Sequence, residues 1–252
     1  IEDLRIKQAE FSLTRQEYGK RIKQAEKDWK QFLRLFPKEN IKNMSLDSYV
    51  IGKQSENSFC HWIEKRLNDL GNIHGNTSFK FGIYFGKTKS DPKYIYRFTK
   101  KFGNNKTEAF TNVRNEIVKL LESAENNNLE ELRKNKISPM FKGKILFLYF
   151  PDKYLNIFSG EHLSHYLDEF GIQHKRKLDE IDKRQLLLNY KNQDEVMSEW
   201  STLEFSIFLW AVIRPPLQKK DVPDRLREHL EFGEDYPDIK DTNPVFVDVN
   251  II

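Results

Sequence analysis

An apolar stripe through the first 36 residues restricts that part of the chain to a helix. One row recurs every seven residues and contains Leu4, Phe11, Tyr18, Ala25 and Phe32. A second row beside it contains Ile22, Trp29 and Phe36. Residues seven apart lie on one face of an α-helix, and Pro37 is the first residue that would stop it. The pattern therefore predicts a single long helix over residues 1–36.

The first half of that helix has few apolar residues, so it has little apolar surface to bury against the rest of the chain. Such a segment projects, packs on something outside the chain, or pairs with a second helix through its heptad positions. A homo-oligomer that forms through the N-terminal helix is therefore one partner expected from the sequence.

A stretch of interleaved basic and aromatic residues lies at 79–106. Its eight basic residues are Lys80, Lys87, Lys89, Lys93, Arg97, Lys100, Lys101 and Lys106. Its eight aromatic residues are Phe79, Phe81, Tyr84, Phe85, Tyr94, Tyr96, Phe98 and Phe102. Asp91 is the only acidic residue among them. The stretch combines positive charge with flat rings in two apparent strands.

Two interpretations of this stretch stay open. Ammonium and guanidinium groups suit phosphates and flat rings stack on exposed bases, which favours a nucleic-acid surface. A half-buried hairpin with rings toward the core and lysines toward water gives the same pattern. Under the first interpretation, the candidate nucleic-acid-binding residues are Lys80, Lys87, Lys89, Lys93, Tyr94, Tyr96, Arg97, Lys100 and Lys101.

The predicted fold class is α+β, with a small antiparallel sheet packed against several helices. Strands are expected at 79–85, 94–99 and 144–150. Gly82 inside the first strand suggests a bulge or a close approach of another group. The unbroken apolar run of the third strand indicates burial on both of its faces. Helical spacing of apolar residues predicts helices at 46–50, 58–70, 107–123, 129–134, 160–170, 181–190 and 199–212. Ser45 and Ser159 are expected caps, and Gly71 is an expected helix stop.

Charge divides the chain into a basic body and an acidic tail. The 252 residues carry a net charge of +4, and 13% of them are aromatic, which is enough for a core. Residues 221–252 contain nine acidic and three basic residues, a net charge of −6 that leaves +10 on residues 1–220. A basic body favours an anionic partner. The expected organisation is a helix at 1–36, an α+β recognition domain at 37–214, and an acidic linker at 215–252 that leads to a further domain.

Cysteine content and hydropathy limit the compartment and the partners. Cys60 is the only cysteine, so an intrachain disulfide is excluded and a reducing cytoplasm fits. The chain opens without a signal peptide and has no apolar run near 18 residues, so a cytoplasmic location without a membrane partner is expected.

Two local patterns resemble ligand sites but lack a required part. Gly86-Lys87-Thr88 resembles the end of a phosphate-binding loop, but Phe81 stands where that loop needs a glycine. His162 and His165 lie three apart on a predicted helix, yet no third metal ligand is identifiable. No cofactor and no metal are expected.

Two further patterns resemble catalytic sites. Pro223-Asp224 and Asp238-Ile239-Lys240 have the loose spacing of a metal-dependent nuclease, although the charged segment between them resembles a helix or linker rather than strand ends. Cys60 is adjacent to His61, which on a helix points about 100° away, so a buried structural cysteine is favoured over a nucleophile. The sequence contains no positive signal for catalysis, and a nuclease that uses Asp224, Asp238 and Lys240 is the remaining enzymatic alternative.

Several segments together resemble a known family. They are Trp29–Phe36 with Pro37, Met44-Ser45-Leu46-Asp47-Ser48-Tyr49, Ser58-Phe59-Cys60-His61-Trp62-Ile63-Glu64, Leu70-Gly71-Asn72-Ile73-His74-Gly75, Phe79-Lys80-Phe81-Gly82-Ile83-Tyr84, Pro151-Asp152-Lys153-Tyr154-Leu155-Asn156-Ile157-Phe158-Ser159 and Glu161-His162-Leu163. Residues 28–212 resemble the N-terminal region that precedes AAA+ motors of the McrB type in bacterial restriction and anti-phage systems. A similar region precedes nuclease-like domains of the NO VEIN type, and 245–252 resembles the entry to such a domain. One departure is Asn76, where many relatives have a second glycine.

The resemblance implies a non-catalytic recognition module that works beside a motor or nuclease domain. It assigns no residue to DNA contact. The leading hypothesis is therefore a DNA-recognition module, with the basic stretch contacting phosphates and Tyr94 or Tyr96 stacking on a flipped or unpaired base. The alternative is a protein-interaction or oligomerisation module of a defence complex.

Overall fold

The computed structural model describes residues 2–53, 56–73, 76–175 and 177–215. Several expectations lie outside these residues: the acidic linker beyond residue 215, the nuclease-like residues Asp224, Asp238 and Lys240, and the apolar end at 245–252. Within the described part the fold class is α+β, as predicted, because several helices pack with a two-stranded antiparallel sheet.

The first helix, α1, spans Glu2–Leu35. The next elements are α2 (Leu46–Tyr49), α3 (Phe59–His61), α4 (Thr77–Phe81), β1 (Ile83–Gly86) and β2 (Ile95–Phe98). They are followed by α5 (Lys106–Glu125), α6 (Leu129–Lys134), α7 (Pro139–Tyr149), α8 (Gly160–Glu169), α9 (Glu180–Gln193) and α10 (Thr202–Phe208). Three short 3₁₀ helices follow other elements: Lys38–Asn43 follows α1, Asn68–Leu70 follows the segment after α3, and Met197–Glu199 follows α9. Two π-helical turns continue α-helices directly: Trp62–Arg66 continues α3, and Leu209–Ile213 continues α10.

The first half of α1 packs within the chain. Phe11 is fully buried, with its ring 4.9 Å from Trp200 and 5.4 Å from Phe208. The expectation that this half projects or packs only on something outside the chain is therefore wrong at Phe11. The sequence separation of nearly 200 residues hides this contact from any local pattern.

Two apolar clusters form the core. The larger one joins the second half of α1 to α3, α5 and α7, with Phe32 against Phe59 and Trp29 stacked on Phe147 at 5.3 Å. The smaller one joins Phe11 to α8, α9 and α10. The sheet lies at the edge of the larger cluster, which receives Ile83 and leaves the outer end of the hairpin exposed.

The predicted strand at 144–150 is wrong, because these residues belong to helix α7. Pro139 occupies the first turn of this helix, where its missing N–H costs nothing. Residues 141–148 are all buried, including Lys142 and Lys144. Burial on all sides removes the alternation that tells a helix from a strand, so a short apolar run leaves the two indistinguishable. Within the described residues the sheet consequently has two strands instead of three.

The predicted strand at 79–85 is half wrong, since its first residues form α4. The Asn76 side chain accepts hydrogen bonds from the backbone N–H groups of Ser78 and Phe79 and caps this helix. Gly82 ends it with a φ of +74°, and a Cβ there would lie 2.6 Å from Val113 Cγ2. The expected close approach at Gly82 is thus confirmed, and the strand begins one residue later.

The remaining predicted elements are confirmed within one to four residues at each end, apart from 58–70, which divides into three short helical turns. Ser45 and Ser159 cap α2 and α8 as expected, each accepting a hydrogen bond from a backbone N–H three residues on. Gly71 has a φ of +94° at the end of the segment it was expected to stop. The strand predicted at 94–99 is β2, which pairs with β1 in the register Phe85 opposite Tyr96.

Candidate nucleic-acid interface

Arg97 organises the loop that joins the two strands. Its Nε donates to the Gly86 carbonyl at 2.9 Å, and its Nη2 lies 2.8 Å from an Asp91 carboxylate oxygen. The Asp91 backbone N–H in turn donates to the Thr88 hydroxyl at 3.0 Å. The hydrogen bond from Arg97 lowers the pKa of Asp91, and the backbone N–H of Lys93 adds to this effect. Arg97 therefore holds the loop in shape, and with its side chain 18% exposed it is not a free phosphate contact.

Lys80 does not reach the predicted surface, which is a correction to the candidate site. It is 4% exposed, its Nζ forms an ion pair with Glu64, and it donates to the Ile73 carbonyl at 3.2 Å. The reason is that residue 80 lies on α4 and not on a strand, so its side chain turns inward toward the segment that follows α3. Burial of this charge is compensated by the carboxylate.

The loop carries three exposed cations, Lys87, Lys89 and Lys93. Among the described residues, no carboxylate lies within ion-pair distance of any of them. Because Arg97 and Asp91 neutralise each other inside the loop, its outer surface keeps the charge of these three lysines. They form the free positive charge of the hairpin.

Lys100 and Lys101 are exposed but lie apart from the loop. They occupy the turn after β2, at the end of that strand opposite to Lys93. The nine predicted residues therefore do not share one surface. The structure brings Lys87 together with Tyr94, keeps Lys89 and Lys93 in the same loop, and separates Lys80, Lys100 and Lys101 from them.

One face of the outer hairpin carries its rings. Tyr96 pairs with Phe85 across the two strands, with the ring centres 5.2 Å apart, and the ring centre of Tyr94 lies 6.2 Å from that of Phe85. Tyr94 is 59% exposed, and Lys87 Nζ lies 5.7 Å from its ring centre. Tyr94 is thus a ring that a base could reach.

Tyr96 is more enclosed, and its surroundings include two cations that the predicted site omitted. Lys53 Nζ and Lys106 Nζ lie 5.4 Å and 5.2 Å from its ring centre. Its hydroxyl donates to Asp47, whose carboxylate also pairs with Lys53 at 2.7 Å. These hydrogen bonds, that from Lys53 first, lower the pKa of Asp47. Lys106 could have been included, since it belongs to the basic stretch, whereas no sequence signal links Lys53 to Tyr96.

The patterns that resemble ligand sites lie in ordinary structural surroundings. Gly86 ends β1 and Lys87 enters the loop, so no helix begins at the lysine as a phosphate-binding loop requires. The His162 ring packs edge-on against Trp210 at 5.1 Å, and His165 Nε2 lies 3.0 Å from the Arg214 carbonyl oxygen. Burial lowers the pKa of His162.

Cys60 is fully buried, as the sequence predicted, and burial raises the pKa of its thiol well above the ordinary value. Residues 2–53, 56–73, 76–175 and 177–215 hold no cluster of three or more His, Cys, Asp or Glu side chains suited to a metal. None of the helices in these ranges has the length and apolar character needed to cross a bilayer.

Comparison of the chain with models of known protein families, with curated proteins and with solved structures gives no match.

Proposed function

We propose that this chain is a non-catalytic DNA-recognition module of a bacterial restriction or anti-phage system, working beside a motor or nuclease domain. The binding surface is the hairpin surface, defined as Lys53, Lys87, Lys89, Lys93, Tyr94 and Lys106. The single observation that carries the proposal is the group of three loop lysines, which have no carboxylate partner among the described residues, next to the exposed Tyr94 ring. The cellular context rests on the sequence resemblance alone.

The charge and the order of the hairpin loop both favour contact with a phosphate backbone. Surface ammonium groups that have no carboxylate partner attract phosphates and release their counterions on contact. The hydrogen bonds of Arg97 and Thr88 fix the loop before binding, so little conformational entropy is lost when the lysines meet a phosphate backbone. Tyr94 supports recognition of an unpaired or flipped base, because a base that has left the duplex can stack on an exposed aromatic ring.

A salt titration tests the proposal directly. If Lys87, Lys89 and Lys93 each neutralise one phosphate, the logarithm of the duplex association constant should fall with the logarithm of salt concentration with a slope of about −3. Fluorescence anisotropy with labelled duplex, single-stranded and base-modified oligonucleotides between 50 and 200 mM salt, a range in which such contacts dominate, measures this slope. Absence of binding at the lowest salt, or an affinity that salt leaves unchanged, would contradict it. Tighter binding to single strands or modified duplex would identify the strand state recognised.

A second candidate function, self-assembly through α1, is favoured by two exposed apolar residues. Ile6 and Leu13 are 55% and 84% exposed and lie seven residues apart on α1, so they share one face. Removing the N-terminal helix would be a poor test, because Phe11 belongs to the core beside α10.

Point substitutions test this alternative without touching Phe11. If α1 mediates assembly, light scattering should report an oligomer for the full chain and a monomer for the double variant Ile6→Glu, Leu13→Glu. The double variant Lys23→Glu, Lys27→Glu, which changes exposed residues further along α1, is the control and should remain oligomeric. A monomeric unsubstituted chain would remove the assembly function.

A further inference from the structure

The two edges of the small sheet differ in what covers them. On the outer side of β1, the Phe85 backbone N–H donates to the Ile51 carbonyl at 3.1 Å. The neighbouring Gly52 lies so close that a Cβ there would overlap the Phe85 carbonyl oxygen. The segment between α2 and α3 therefore closes the β1 edge of the sheet.

The outer edge of β2 has free backbone groups. The Thr99 N–H donates to the Gly82 carbonyl at 2.9 Å, so these two residues form a hydrogen-bonded pair of the antiparallel ladder. Because such pairs alternate with non-bonded ones, the backbone N–H and C=O groups of Tyr96 and Phe98 point away from β1. No described residue forms a hydrogen bond with these groups. An edge of this kind is a template for one more strand.

The side chains of β2 determine what such a strand must look like. Tyr96 and Phe98 pack against the larger core cluster while remaining partly exposed. Ile95 alternates with them and lies on the opposite face, where it is 44% exposed. A strand beside β2 should therefore present small apolar residues on the core side and a further apolar residue next to Ile95.

The charges around β2 restrict the occupant further. Lys93 precedes the strand, Lys100 and Lys101 follow it, and all three are exposed. A second copy of β2 would bring the same cations close together, and like charges across neighbouring strands are destabilising. An acidic segment would be attracted instead.

One segment of the chain has the required pattern. Val245-Phe246-Val247-Asp248-Val249 alternates three valines with a phenylalanine and an aspartate, and valine and phenylalanine favour strands. It belongs to residues 221–252, whose net charge is −6. At about 3.3 Å per residue, residues 216–244 can extend over on the order of 90 Å, which exceeds the roughly 45 Å diameter of a domain of this size. The segment can therefore reach either end of β2.

We propose that residues 245–249 bind the outer edge of β2 as a third strand of the sheet. Their backbone groups pair with those of Tyr96 and Phe98, the three valines extend the apolar core side, and Phe246 lies on the side of Ile95. A shift of one residue would exchange the two faces, so the alternation fixes which side chains point inward. The inference does not depend on the DNA proposal, because it requires only the pairing of two peptide segments.

Hydrogen exchange in the full chain, measured for single residues by NMR, tests this strand. The amides of Tyr96 and Phe98 should exchange at least about 10-fold more slowly in the unsubstituted chain than in Val247→Pro, because proline lacks a donor and disrupts the added strand. The amides of Ile95 and Arg97 point toward β1 and should exchange at the same rate in both proteins. This alternation distinguishes strand pairing from general shielding of the hairpin.

Val222→Pro is the matched control, because it makes the same replacement elsewhere in the acidic tail and should leave the exchange of Tyr96 and Phe98 unchanged. Equal exchange of these two amides in the unsubstituted chain and in Val247→Pro would overturn the proposal, as would equal acceleration in Val222→Pro. Slow exchange that persists in Val247→Pro and becomes slower with rising protein concentration would show that a second copy covers the edge instead.

Discussion

Raising the pH from 7 to 10 should increase the free energy of unfolding by about 3 kcal/mol through one side chain, Lys144. Lys144 is fully buried on α7, and its Nζ donates to the carbonyl oxygens of Leu67, at 2.5 Å, and Gly71. Burial lowers its pKa from 10.5 to about 7, against a small opposing influence of Asp69. The neutral amine still donates to a carbonyl, so the hydrogen bonding survives loss of the proton.

The sign of this pH dependence follows from the number of protons that Lys144 binds in the folded and unfolded states. Between pH 7 and 10.5 the unfolded chain holds the Lys144 proton and the folded chain has released it, so unfolding takes up a proton and becomes less favourable as pH rises. Below pH 7 both states are protonated and the dependence ends. Above pH 10 the buried tyrosines act in the opposite direction, since burial raises the pKa of Tyr154 to about 12.

Urea denaturation at pH 7, 8, 9 and 10 of the native chain and of Lys144→Met measures the effect. Methionine keeps the length and apolar contacts of the side chain but has no proton to lose, so the variant should lack this part of the increase. Burial also lowers the pKa of Lys142 and Lys191, but both remain in the variant, and the difference between the two curves isolates Lys144. Lys175→Met, at an exposed position, is the control and should follow the native curve. Parallel curves for the native chain and Lys144→Met would contradict the argument.

Local signals predicted much of the helical part of this fold. Ser45 and Ser159 cap helices because each hydroxyl accepts a hydrogen bond from the backbone N–H three residues further on. This interaction needs no residue from elsewhere in the chain. Gly71 and Gly82 both have positive φ, a backbone conformation that glycine adopts without a steric penalty. The apolar run at 144–150 resembles a strand because burial on every side leaves no periodicity, and its packing in the larger core cluster decides that it is a helix.

The candidate site was less predictable than the fold. The exposure of Lys87, Lys89 and Lys93 follows from a polar loop between two strands, which the sequence indicates. The burial of Lys80 depends on α4 turning it toward Glu64, 16 residues earlier. The contact of Asp47 with Tyr96 spans 49 residues.

Reversing the three loop charges should have the largest effect on nucleic-acid binding. In the triple variant Lys87→Glu, Lys89→Glu, Lys93→Glu, three attractive phosphate contacts become three repulsive ones, and affinity for DNA at 50 mM salt should fall by on the order of 100-fold. The fold should be retained, because these side chains are exposed and the loop is held by Arg97, Asp91 and Thr88 instead. Fluorescence anisotropy with one labelled oligonucleotide measures the change, and circular dichroism checks the helix content of the variant.

A matched variant separates this surface from the overall charge of the protein. Lys23→Glu, Lys27→Glu, Lys30→Glu changes the net charge by the same amount at exposed positions of α1. If DNA is held at the hairpin, this variant should keep most of the affinity, because an interaction screened over about 10 Å at 0.1 M salt depends on where the charges lie. Equal losses in the two variants would mean that the affinity comes from the basic body as a whole. Unchanged binding by the loop variant would refute the hairpin surface, even if the chain binds DNA elsewhere.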